Sequence, residues 1–274
     1  MAALRRLVSF FLIRLNPMSV IRIAVLFCIF RGNKFRPVMK NCTLLFFLFF
    51  GIYFSKIQAQ QLHDGAYLYQ DGINKHLMLV KDHYISFISY DAVRKRFQHT
   101  WGGPLDKQPN LINIAIEYNS QDSSAIGKTT QLPYRSEADS LRLKIANSYH
   151  LYIKQKKVPQ DLDALWRITG RQQGEKMQDI PKADRKTIKI LVDGYFQWIA
   201  INPAQKGFYG TGGGNYQYDN NRYTEKIQFF SRDNNRVGQE LAFDGEIVDG
   251  RWQHRGKSSK GDDIYEIWSK EITE

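Results

Sequence analysis

Trp252 and His254 stand two residues apart in the alternating run Arg251-Trp252-Gln253-His254-Arg255. On a strand, residues i and i+2 share a face, so an imidazole would sit beside an indole. One polar group among aromatic walls is the usual chemistry of a small-molecule pocket. The other reading of His254 is a solvent-exposed strand histidine. Trp198, Tyr209 and Phe229 belong to the same aromatic set. Arg232, in Arg232-Asp233-Asn234-Asn235-Arg236, offers a guanidinium fork for a carboxylate or a sugar hydroxyl. The same run also reads as a charged turn in which Asp233 bonds its own backbone. The ligand-binding candidates are therefore Trp198, Tyr209, Phe229, Arg232, Trp252 and His254.

Other chemistries lack their residues. The six histidines, His63, His76, His83, His99, His150 and His254, show no metal-ligand spacing. There is no Gly-x-Ser-x-Gly elbow, and Ser258-Ser259-Lys260-Gly261-Asp262 reads as a turn. Asp262 and Asp263 are adjacent, so on a strand they would point to opposite faces. Thr211-Gly212-Gly213-Gly214 is followed by neither Gly-Lys-Ser/Thr nor a helix, so it is no phosphate loop. It reads as glycines that relieve crowding at a strand bend or under an aromatic ring. No metal and no cofactor are expected. Glu225, Asp244 and Glu246 leave an acid–base reaction on glycans open.

The charge balance narrows the partners. The chain has 39 Lys+Arg against 27 Asp+Glu, a net of +12. Nine of the basic residues, and no acidic ones, fall in 1–59, so the remaining 215 residues carry 30 against 27, or +3. A near-balanced body does not gather phosphates by counterion release, so no nucleic-acid partner is expected. Both cysteines, Cys28 and Cys42, also lie in the first stretch, which leaves the body without a disulfide or a thiolate site.

That first stretch reads as a leader. Met39-Lys40-Asn41 is a positive start, Leu44 to Phe54 is an eleven-residue apolar segment, and Ile57-Gln58-Ala59 offers a cut before Gln60. The segment is short for a bilayer span, and the pattern is that of a secretory signal peptide. Residues 39–59 are assigned to it, and 1–38 to an upstream extension or hydrophobic segment, with translation starting at Met39. The alternative is a membrane anchor at the N-terminus. The protein is expected in the periplasm or outside the cell, touching a membrane only through an uncleaved leader.

The elements that must carry the candidates come from a repeat. Shifting the chain by 111 positions aligns Asn74–Thr130 with Arg185–Leu241 without a gap, and 14 of 57 pairs are identical. Unrelated sequences would give about three or four. Two units follow, 60–156 and 164–273, joined by a polar segment that contains Pro159. Trp198, Tyr209 and Trp252 stand opposite Phe87, Gln98 and Leu141, which makes them specific to the second unit. Short apolar runs punctuated by Asp193-Gly194, Asn202-Pro203 and Asp249-Gly250 read as antiparallel strands. Gln172–Arg185, with Pro181, reads as a loop. Up to eight short strands in the second unit suggest a small closed barrel or a compact sandwich. The fold class is all-β: two tandem small antiparallel barrels after the leader.

Several stretches of the second unit carry a resemblance. The Trp166-bearing first strand, Phe208-Tyr209-Gly210-Thr211-Gly212-Gly213-Gly214, Phe229-Phe230-Ser231-Arg232-Asp233 and the closing Asp263-Ile264-Tyr265-Glu266-Ile267-Trp268 resemble an uncharacterised secreted, lipocalin-like family of Bacteroidetes bacteria. The first unit departs from it, with Trp101 for Gly212 and Pro104 for Asn215. The resemblance implies a small barrel and an export signal, and no activity. Together these readings lead to an exported, non-enzymatic binding protein for a small apolar or glycan-type ligand. The alternatives are a glycan-active hydrolase of the cell envelope and a purely structural envelope module.

Overall fold

The computed structural model describes residues 61–137 and 139–272. The leader, Cys28, Cys42 and the proposed start at Met39 lie outside the described residues. The first unit contains β1 (Gly65–Asp71), β2 (Asn74–Lys81), β3 (Tyr84–Asp91), β4 (Arg96–Gln108), β5 (Leu111–Ala115), β6 (Tyr118–Asn119), β7 (Thr129–Glu137), β8 (Ser140–Ile145) and β9 (Ser148–Lys154). The second contains β10 (Leu165–Gln173), β11 (Lys176–Asp179), β12 (Lys186–Val192), β13 (Tyr195–Asn202), β14 (Gly207–Asp219), β15 (Arg222–Phe230), β16 (Glu240–Val248), β17 (Arg251–Lys257) and β18 (Asp263–Lys270).

Each unit is an eight-stranded antiparallel barrel. The first closes where β1 meets β9, with Tyr67 opposite Lys154, and β6 adds a short ladder on β4. The second closes where β10 meets β18, with Trp166 opposite Lys270. Closure removes the long sheet edges that would otherwise template aggregation. Asp193-Gly194 and Asp249-Gly250 take left-handed backbone, with φ of 50° and 77° and of 50° and 72°, as tight hairpins between twisted strands require. The stretch Gln172–Arg185 is not all loop. β11 pairs with the end of β10, Gln173 opposite Lys176, and extends the barrel wall as a hairpin. Its polar, exposed residues concealed it, because neither face of β11 is buried.

The two barrels repeat each other in register. Phe87 pairs with Trp101 and Ile88 with Thr100; 111 residues on, Trp198 pairs with Gly212 and Ile199 with Thr211. Both ladders slip at the same place, after Ser89 and after Ala200. Gly213 has the structural role its sequence context suggests. A Cβ there would lie 2.3 Å from the Phe196 carbonyl and 2.5 Å from the Phe229 ring. Ser231 and Asp233 are structural too. The Ser231 hydroxyl accepts from Thr211 N at 2.9 Å, as Ser120 does from Thr100 N. Asp233 accepts from Asn235 N at 3.1 Å and Asp122 from Ser124 N at 2.9 Å, each capping a one-turn 3-10 segment.

The described residues form three apolar cores. One fills each barrel, and the third lies between them. In the third, Leu77, Leu79, Ile88 and Tyr118 of the first barrel pack against Ile188, Ile190, Ile199 and Phe229 of the second. These are equivalent positions in the repeat, so the barrels meet through the same outer face. At the centre, the Ser86 hydroxyl donates to Gln197 Oε1, and these two residues are also equivalents. Equivalent positions that touch lie beside the axis relating the two barrels. Gln197 Nε2 donates to Thr100 and Thr211, both at 3.0 Å, and Tyr118 donates to Ser86 at 2.6 Å. The threonines donate onward to the Phe87 and Trp198 carbonyls at 2.8 and 2.5 Å. The polar centre is therefore hydrogen-bonded throughout, as burial demands.

Phe229 is the aromatic anchor of that interface, 5.3 Å from Tyr90 centroid to centroid. Phe229→Ala should destabilise the chain by about 3–5 kcal/mol, the usual cost of emptying a buried phenylalanine site. Urea denaturation of the purified chain would measure it, and a change below about 1 kcal/mol would contradict the packing described.

Candidate functional site

Four side chains that normally seek water lie inside the second barrel. Lys189, Glu225, His254 and Glu266 are 4, 7, 2 and 8% exposed. Strand alternation puts them there: Lys189 shares the inner face of β12 with Leu191, Glu225 that of β15 with Tyr223, His254 that of β17 with Trp252, and Glu266 that of β18 with Trp268. Around them stand Trp166, Phe196, Tyr223, Phe243, Trp252 and Trp268, the aromatic core of the barrel.

Lys189 reaches across the barrel. Its Nζ lies 3.0 Å from Glu225 Oε1, and the Tyr223 hydroxyl donates to the same oxygen at 2.8 Å. The ammonium also lies 5.0, 5.1 and 5.2 Å from the ring centroids of Trp252, Trp268 and Tyr223. Cation–π attraction thus adds to the ion pair in a desolvated setting. Burial, then the nearby Glu225 charge, holds the Tyr223 phenol well above its ordinary pKa.

Glu266 is the hub of the other half. Arg171 NH2 donates to its Oε1 at 2.7 Å, and Trp268 Nε1 donates to its Oε2 at 3.2 Å. Burial works against its charge, but contact with His254 and the charges of Arg171 and Lys189 outweigh this and hold it at about 2. His254 Nδ1 stands 3.5 Å from Glu266 Oε2. Burial is the main influence on His254 and pushes its pKa below the ordinary 6.5. The ring lies 4.2 Å from Phe243 and 5.0 Å from Trp252, centroid to centroid. Both of its nitrogens, and Trp252 Nε1, are buried without a hydrogen-bond partner in the protein. A buried donor left in that state costs about 1–3 kcal/mol.

The first barrel shows that the fold does not need this chemistry. At the positions of Lys189, Glu225 and Tyr223 it has Met78, Ile114 and Ile112. Tyr134 pairs with Leu143 where Gly245 pairs with His254, so Leu143 replaces the histidine. Met78, Ile112, Ile114 and Leu143 are all fully buried in an apolar core. A buried ion pair seldom stabilises more than an apolar set of the same shape. The charges are thus an addition to a scaffold that packs without them.

No protein-family model matches the chain, and no curated protein matches it. The internal comparison of the two barrels therefore carries the assignment of the site.

The structure brings together two of the six sequence candidates, Trp252 and His254, in this cluster. Trp198 stands at its margin, half-buried on the inner face with Phe196 and edge-on to Phe230 at 5.4 Å. Phe229 is a correction. Alternation from Tyr223 through Glu225 and Ile227 would turn it inward, but a bulge at Gly213/Gly214 shifts the ladder and turns it to the interface. Tyr209 is likewise not among the cluster; its ring lies 4.5 Å beneath the Arg185 guanidinium. Arg232 is exposed and rests near the bare backbone of Gly210. The three carboxylates considered for acid–base chemistry do not gather. Glu225 points inward, whereas Asp244 and Glu246 are exposed, Asp244 paired with Arg222 at 3.0 Å. Lys189, Tyr223 and Glu266 were missed. The repeat carried a signal for the first: a lysine and a glutamate appear together in the second copy where the first has Met78 and Ile114.

The pKa directions fix a pH dependence. The folded chain holds His254 neutral, whereas the unfolded chain protonates it near 6.5. Stability should therefore fall as pH drops below about 6.5. The Glu266 contribution is lost only below its ordinary 4.5, toward about 2. His254→Leu, the first barrel's residue, should reduce the slope of the stability curve below pH 6.5, leaving the part that His76 and His99, also held below 6.5 by burial, contribute. An unchanged slope in denaturant titrations across that window would contradict a buried neutral histidine.

Proposed function

We propose that the chain is an exported, non-enzymatic binding protein whose second barrel takes a small, largely apolar ligand with a hydrogen-bonding head. The first barrel serves as its support. One observation carries this reading: buried Lys189, Glu225 and His254 replace Met78, Ile114 and Leu143 in an otherwise equivalent barrel. Aromatic walls with a few fixed polar groups are what a small-molecule site requires. His254 Nε2 and Trp252 Nε1, which have no hydrogen-bond partner in the protein, supply the hydrogen-bonding capacity that a ligand head would use. Half-buried Trp198, Leu241 and Ile264, packed against the same core, offer an apolar margin. The leader pattern and the family resemblance support export, with the periplasm or the exterior as the site of action.

The test copies the first barrel into the second. Lys189→Met, Glu225→Ile and His254→Leu together should leave the barrel folded, with stability equal or higher by about 1–4 kcal/mol. Native mass spectrometry of the wild-type chain should find a co-purified small molecule, and tryptophan fluorescence should respond to long-chain alcohols. The triple variant should lose both. A wild-type chain that carries and binds nothing, or a variant that binds as well, would overturn the reading in favour of a structural module.

A further inference from the structure

A second feature of the second barrel lies outside its core. A groove of about 580 Å³ runs between the linker and the far half of β14, and its walls include Gln155, Gln160, Asp193, Tyr195, Asn215 and Tyr218. Its size falls in the range of small-molecule sites, roughly 300–1,000 Å³. Amides and tyrosine rings make up most of the lining, with Lys156, Asp193 and Asp219 among them. A side-chain amide presents donors and an acceptor in one plane, which matches adjacent hydroxyls on a sugar ring. A tyrosine face provides the apolar surface on which the C–H side of such a ring can rest.

These groups are held in place before any ligand arrives. Gln155 Nε2 donates to the Ile153 carbonyl at 2.9 Å, and its Oε1 accepts from the Tyr195 hydroxyl at 3.2 Å. Gln160 Oε1 accepts from Tyr218 N at 2.5 Å, and Asn215 Nδ2 donates to the Gly194 carbonyl at 3.3 Å. An amide has more donor and acceptor capacity than these bonds use. Fixed partners lower the ordering cost of binding.

The first barrel again provides the comparison. A depression of about 430 Å³ touches the equivalent strand at Pro104, Leu105 and Asp106, but its other walls are His83, Asn113, Ala115 and Thr129 and not a linker. Pro104-Leu105-Asp106-Lys107 stands where the second barrel has Asn215-Tyr216-Gln217-Tyr218. The linker wall that brings Gln155 and Gln160 to the groove belongs to the second barrel alone. We infer that the groove along Asn215–Tyr218 is a binding site for an uncharged saccharide, separate from the interior of the barrel. The site binds weakly and reversibly, through hydroxyl–amide hydrogen bonds and one stacked ring face.

Saturation-transfer NMR on the full chain with cellobiose, maltose and N,N′-diacetylchitobiose tests this. At least one should receive transfer, with ring resonances of Tyr195 and Tyr218 perturbed. Gln155→Ala with Gln160→Ala should weaken the affinity at least tenfold while circular dichroism stays unchanged. The Lys189→Met/Glu225→Ile/His254→Leu chain should keep the saccharide signal. No transfer from any of the three would overturn the groove site and leave the interior reading standing. Transfer that survives the double glutamine variant and disappears in the triple variant would place the sugar inside the barrel, and would also overturn it.

Discussion

The structure depends on a face shared by two barrels. Each exposes, on the outer side of its first strands, a row of Leu, Ile and aromatic residues that a lone barrel would leave in water. Mutual burial of these rows makes a third core, continuous across the two halves of the chain. Apolar area alone would allow the rows to slide. The Ser86–Gln197 contact, with Thr100 and Thr211 on either side, specifies one alignment, because any shift would leave a buried amide unsatisfied. The rim adds cross-barrel bonds, from Tyr90 to Gln228 at 2.9 Å and from Lys186 to Glu117 at 2.8 Å.

Given this support, the two interiors can differ. The core of the first barrel is aliphatic and aromatic, with half-buried His76 and His150 against Tyr69 at its margin. The second accommodates a lysine, two carboxylates and a histidine among tryptophans. Desolvating those groups is unfavourable, and their mutual attraction offsets it only in part. A repeat of one scaffold with two cores separates what the fold needs from what has been added.

Much of this was legible in the residues. Asp-Gly turns marked hairpins, the 111-residue shift revealed two units, and repeated Thr, Gly and Ser positions proved to be scaffold. That Trp252 and His254 share a face followed from alternation, whereas the burial of that face inside the barrel did not. What escaped was set by geometry between strands. Phe229 obeyed the alternation rule until a bulge reversed it. Lys189 and Glu225 lie on strands that are not neighbours in the sheet, and only closure of the barrel brings them to 3.0 Å. The interface was hidden for a related reason: β12 and β13 bury both faces, so their apolar runs do not reveal that one face meets a second barrel.

The central claim is that the barrels form one cooperative body through their common face. Differential scanning calorimetry of the chain tests it directly. The account predicts one transition, with the calorimetric and van't Hoff enthalpies equal. Two separated transitions, each with about half the heat, would show that the halves unfold independently and would contradict it.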